Sequence, residues 1–135
     1  MLQQMALGSF VFSLSSGFPY ERLRRETDGG WIDIEIVNSK PYSQNSGQDL
    51  ERLRIVGRAH RAAGMEKLAT LRAMADGRTP YAIVDALGRN WGRWRLDKVL
   101  EEQTGVIDDG TAMTIDWTLE LREFRNENSA KQSGG

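Results

Sequence analysis

The chain has 135 residues, no cysteine and a single histidine, with 18 Lys plus Arg against 19 Asp plus Glu. A chain of this length reads as one domain able to bury roughly 65 to 70 percent of its unfolded surface. The absence of cysteine excludes disulfides, thiolate zinc sites and a cysteine nucleophile, and the near-balanced charge argues against a dedicated nucleic-acid binder. The longest apolar stretch near the N-terminus, Phe10 to Leu14, falls far short of the roughly 20 residues of a membrane span and follows no basic segment. Together these features read as a soluble, unexported protein with no membrane partner.

Phe10, Phe12 and Leu14 alternate with smaller residues, which predicts a first strand with one buried face. Ser15-Ser16-Gly17 ends it, and Phe18-Pro19-Tyr20 opens an extended or turning connection because proline pushes its predecessor out of the helical region. Arg22, Arg24 and Arg25 form a small basic cluster, read as a solvated face. After the turn signal Asp28-Gly29-Gly30, Ile32, Ile34 and Ile36 alternate with Asp33, Glu35 and Val37, giving a second strand with a wet and a dry side. Asn38 to Gln48 is almost wholly polar and reads as a loop of about 11 residues, long enough to be functional or ordered by a neighbour. In the third strand Leu53, Ile55, Gly57 and Ala59 share one face and Arg52, Arg54 and Arg58 the other. Three cations at that spacing suit a partner's acids or a channel, with plain solvent exposure as the simpler alternative.

Leu68, Leu71 and Ala75, flanked by Met65 and Met74, form an apolar stripe of helical period over Met65 to Asp76. Gly77 is expected to stop this helix in a positive-φ conformation, and Pro80 to prevent its resumption. A helix of about 12 residues needs a sheet to lie on. Tyr81 to Val84 reads as a strand, Leu87-Gly88-Arg89-Asn90 as a turn, and Trp91 to Leu96 as the next strand, with Gly92 marking a bulge or a close backbone approach. Beyond Asp108-Asp109-Gly110, Met113, Ile115, Trp117, Leu119 and Leu121 alternate with polar residues, the pattern of a long antiparallel strand with one face buried. Asn126 to Gly135 reads as a flexible polar tail behind a single domain over residues 1–125. The class is α+β, mainly β: an antiparallel sandwich or barrel of about six strands with one short helix.

Phosphate loops, HExxH helices, GxSxG elbows and GxGxxG turns are all missing from the sequence. His60, the lone histidine, does not suffice for a histidine metal site or a triad with a spare ligand. The strongest enzymatic alternative is a peptidoglycan-cleaving glycosidase built on Glu101-Glu102 and Asp108-Asp109, which needs two carboxyls about 5 to 9.5 Å apart with one pKa raised. Acids beside a turn are usually hydrated and ordinary.

The order of motifs along nearly the whole chain resembles the phage GpU family, tail protein U of temperate contractile-tailed phages and related phage-tail-like bacteriocins. Met5-Ala6-Leu7-Gly8-Ser9-Phe10-Val11-Phe12 is similar to the family's opening, followed by Pro19-Tyr20, Trp31, Lys40-Pro41, Gln44 and Gly47. The middle carries Gly57, Leu71-Arg72-Ala73-Met74-Ala75-Asp76-Gly77, Pro80, Gly88 and Gly92-Arg93-Trp94. The end carries Asp108-Asp109-Gly110 and the strand with Ile115, Trp117, Leu119 and Leu121. His60 stands where the family has proline, and Trp117 where it more often has phenylalanine.

The resemblance implies a structural virion protein with a fold similar to tail-tube proteins, assembled in the host cytoplasm and repeated as a hexameric ring near the baseplate end. Its implied partners are the tail tube protein, the baseplate hub protein and other baseplate proteins. No catalytic, cofactor-binding or metal residues are expected, and DNA passes at most through the lumen. Interface positions are expected at Arg52, Arg54, Arg58, Tyr42, Gln44, Trp91 and Arg93. Alternatives are a tail-completion or terminator ring at the head-proximal end, and outside the phage class the glycosidase or a free small-ligand-binding barrel.

Overall fold

The computed structural model describes residues 4–13 and 17–125. The expected end of the first strand at Leu14 and the polar tail from Asn126 lie outside the described residues. Gly8, at a φ of 60°, permits a tight turn between β1 (Met5–Leu7) and β2 (Phe10–Phe12), so the alternation around Phe10 belongs to the return arm of a hairpin. β3 (Tyr20–Glu26) takes the place of the expected connection and basic cluster. With β6 (Arg52–Ala59), β7 (Tyr81–Asp85), β8 (Asn90–Val106) and β9 (Ala112–Glu123), these strands form one antiparallel sheet in the order β2-β1-β7-β8-β9-β6-β3.

This sheet curls into a half-barrel. At its seam Gln4 substitutes for a strand partner: its carboxamide Nε2 donates to the Tyr20 carbonyl at 3.0 Å, and its Oε1 accepts from the Tyr20 N–H at 2.9 Å. Gly92 has a φ of 86° and lies where β8 carries one residue more than β7 between paired positions, so of the two expected roles it fills the bulge. A Cβ there would meet nothing, which rules out a close approach.

The helix α1 (Arg61–Asp76) starts one turn before Met65, because Gly64 lets it enter directly against β6. A Cβ on Gly64 would sit 2.7 Å from that of Ala59. Leu68 and Leu71 are buried where α1 lies on β8 and β9, and Met65, Met74 and Ala75 pack at the margin. The helix stop differs from expectation. Gly77 keeps helical backbone angles and donates to the Ala73 carbonyl, while Arg78 takes the left-handed conformation at a φ of 52°.

Between α1 and the sheet the core is an aromatic stack. Phe18 lies parallel to Trp117 at 4.6 Å, Phe12 covers Trp117 at 5.8 Å, and Phe10 meets both phenylalanines edge-on. Gly57 makes room for it: a Cβ there would stand 2.4 Å from Trp117 Cζ2 and 2.7 Å from the Pro19 carbonyl oxygen. Trp117 Nε1 is buried and meets no acceptor among the described residues.

β4 (Trp31–Ile36) and β5 (Ser39–Asn45) pair with each other and with no strand of the main sheet. Two expectations are corrected here. The polar loop from Asn38 to Gln48 is mostly strand, and the second strand has no dry side among the described residues, since every residue of β4 except half-buried Ile34 is exposed. The same hairpin and the unread β1 and β3 account for nine strands among the described residues against the expected six or so.

Gly57→Ala is expected to destabilise the fold by about 1 to 3 kcal/mol through overpacking against Trp117. Combining it with Trp117→Phe, which removes the benzo ring edge and the orphan N–H, should recover part of that loss in denaturant unfolding. A neutral Gly57→Ala would show that the stack is not tight.

Candidate assembly interface

The hairpin β4–β5 turns through Val37 and Asn38, where Asn38 takes a φ of 63°, a left-handed conformation that asparagine tolerates. Pairing of Ile32 with Gln44 and Ile34 with Tyr42 puts these four residues on one face together with Ile36. Trp31, Asp33 and Glu35 occupy the other. Relative exposure is 44% for both Ile32 and Ile36, 52% for Tyr42, 66% for Trp31 and 87% for Val37 at the tip. This ribbon is thus apolar on one side and uncovered on both.

Its root, in contrast, is firmly built. Gly30, at a φ of 79°, lets the two arms close together, and a Cβ there would lie 2.6 Å from the Gly47 carbonyl oxygen. Ser46 N–H donates to the Gly30 carbonyl at 2.8 Å. Below that pinch, Glu51 accepts from Arg25 at 2.9 Å and from the Thr27 hydroxyl at 2.6 Å, so one carboxylate ties the chain entering the hairpin to the chain leaving it. The Arg25 guanidinium also lies 4.8 Å over the Trp91 ring and 6.0 Å from Trp94, joining the clamp to the mouth of the half-barrel. Glu51 and Glu123 complete the joint by exchanging hydrogen bonds, Glu123 N–H to the Glu51 carbonyl at 2.9 Å and Glu51 N–H to Glu123 Oε1 at 3.2 Å.

The expected interface residues divide into three groups. Tyr42 and Gln44 stand together on the apolar face of the hairpin. Arg52, Arg54 and Arg58 lie on the outer face of β6, where Arg58 is held by Asp116 at 2.8 Å, Arg52 reaches Asp49 at 3.8 Å, and Arg54 lies beside Arg24 and Glu120. Asp116 raises the Arg58 pKa further through their hydrogen bond. Trp91 and Arg93 are engaged within the chain: half-buried Trp91 donates through Nε1 to Asp85 at 3.2 Å, and exposed Arg93 covers the Phe124 ring at 4.9 Å.

Nor does the fold gather the acids of the glycosidase alternative. Glu101 and Glu102 are consecutive in β8 and point to opposite faces, with Glu101 bonded to Arg72. The strand continues to Val106, about 13 Å past Glu102 at the rise of a strand, before the turn that holds Asp108 and Asp109. The Thr111 N–H and hydroxyl lower the Asp109 pKa, the opposite of what a general acid requires.

Thr27 and Glu51 are functional candidates that the sequence alone did not single out, and Arg25, read there as part of a solvated basic cluster, is instead tied to Glu51 and Trp91. Hydrogen bonds from Arg25 and then Thr27 hold the Glu51 carboxyl below its ordinary 4.5. Since its folded-state pKa is depressed, its contribution is present above the unfolded value and is lost as pH falls through the folded one. Acidification through that window is expected to lower the amide protection factors of β4 and β5 before those of β6 and β9. Glu51→Gln should show the lowered hairpin protection already at neutral pH, and equal protection in both proteins would refute the clamp.

The pattern of the Phage P2 GpU family matches residues 8–126. The chain is also 59% identical over 125 residues to a "Probable tape measure protein" of Halomonas phage phiHAP-1. That match covers 92% of this chain but 14% of the relative, so the chain spans a small part of that protein's length. The family match covers every strand after β1, the helix and the hairpin: this chain belongs to the Phage P2 GpU family and is a phage tail protein.

Proposed function

We propose that the protein is a structural subunit of a ring at the baseplate end of a contractile tail, joining the tail tube to the central hub, and that it acts by assembly without catalysing a reaction. The β4–β5 hairpin carries this reading, because an isolated two-stranded ribbon is marginal in water and this one shows an apolar face to solvent. A second exposed apolar group, Val106 and Ile107, lies at the outlying end of β8, with Met113 on the neighbouring β9. Two different patches on one chain suit a head-to-tail contact, in which the hairpin of one copy covers the β8–β9 end of the next, and such contacts close into rings. Half-exposed Ile32, Ile36 and Tyr42 would each contribute on the order of 1 kcal/mol when the rest of their surface is covered.

A hexamer, with the tube protein and the hub protein above and below it, is the arrangement this reading favours. The likeness to a segment of a protein described as a tape measure supports a position on the tail axis. A completion ring at the head-proximal end remains the second reading; labelling the protein in intact particles separates the two, since the label falls at the baseplate end only under the first.

Ile32→Asp with Ile36→Asp is expected to leave the isolated subunit's unfolding free energy within about 0.5 kcal/mol, as for ordinary surface changes, while abolishing tail assembly. Normal tails built from this variant would refute the role of the hairpin. Cleavage of peptidoglycan by the purified chain, lost on Glu101→Gln, would refute the non-catalytic reading.

A further inference from the structure

The outer face of β3, β6, β9 and β8 concentrates positive charge on a chain whose formal net charge is −1. Cross-strand pairing sets Arg24 opposite Arg54, Arg52 opposite Arg122, and Arg122 opposite Arg95. Like charges directly opposite one another destabilise a sheet, so three such pairs in adjacent rows are a cost borne by the isolated subunit. Carboxylates relieve it in part: Asp49 reaches Arg122 at 3.3 Å, Asp97 holds Arg95 at 2.8 Å, and Glu120 lies between Arg54 and Lys98, 3.9 Å from the lysine. Arg22, Arg24 and Arg54 make no ion pair among the described residues. Five cations, Arg24, Arg52, Arg54, Lys98 and Arg122, line a shallow recess of about 360 Å³ on this face together with three acids, Glu26 opposite Arg52, Asp97 and Glu120.

The geometry points to a nucleic-acid backbone as the ligand of this arginine band. Residues two apart on a strand are about 6.6 Å apart, near the spacing of successive phosphates, and arginine pairs with phosphate through two parallel N–H donors. A docked protein would need an apolar centre, and the arginine rows offer none: the nearest apolar residues of this face are Val56 and Leu100, paired with Thr118 on the row beyond. With no aromatic ring among the band's residues, the contact reads phosphates without reading bases. The inference concerns the single subunit and holds whether or not copies close into a ring.

The test is fluorescence anisotropy of a labelled DNA duplex against the purified chain at rising salt, with polyglutamate of equal charge as the second probe. Weak, sequence-independent binding is expected, with a log–log salt slope of about −3 if the three unpaired arginines each meet a phosphate. Arg24→Gln with Arg54→Gln should flatten that slope by about 2 units, while Arg58→Gln, whose partner is Asp116, should leave it unchanged. The double variant should also melt no lower than the parent at low salt, because it removes a like-charge pair. No DNA binding at low salt, binding indifferent to the double variant, or tighter capture of polyglutamate than of DNA would each overturn the proposal, the last in favour of an acidic protein partner.

Discussion

Two antiparallel strands joined by a tight turn satisfy half of their backbone groups on one another but enclose nothing, so the face carrying Ile32, Ile34, Ile36 and Tyr42 must be covered from outside the hairpin. The main sheet does not supply that cover. What it supplies is a fixed root, in which Arg25, Thr27 and Glu51 hold both arms and Gly30 lets them close against Gly47. A ribbon with a firm base and an uncovered apolar side is built to present that side to something else. The candidate interface and the assembly reading both follow from this single constraint.

The rest of the fold explains why the main sheet cannot bend over to cover its own hairpin. One side of the half-barrel is filled by α1 and by the stack of Phe12, Phe18 and Trp117, with Gly57 giving the indole room to lie flat on β6. The opposite side of β3, β6, β9 and β8 is lined with charged side chains, which no isoleucine face would choose to meet. Under the proposed assembly, apolar cover comes from the outlying end of β8–β9 on another copy or from a different protein. Family membership makes the chain a phage tail protein.

Sequence legibility followed the location of the apolar partner. β6, β7, β9 and the helix could be read because Leu53, Ile55, Ile83, Leu68 and the Ile115 to Leu121 series alternate against a core within this chain. β3 was obscured, since Tyr20 and Leu23 are its only apolar residues packed against that core and the remainder look like a basic cluster. Ser39 to Asn45 offered no periodic signal at all, because neither face of β5 is buried in the chain. The isoleucine alternation of β4 was visible, but its missing partner was not, and this is the point at which a pattern of residues and the location of their cover come apart. The clamp was invisible for a different reason: Arg25 and Glu51 are joined across 26 positions of sequence, and neither is unusual where it stands.

A density map of the intact tail tests the central claim most directly. The account predicts several copies of this chain around the tail axis, with the Ile32, Ile34 and Tyr42 face of each hairpin packed against a neighbouring subunit. A map in which the hairpins extend into solvent with that face bare would contradict it.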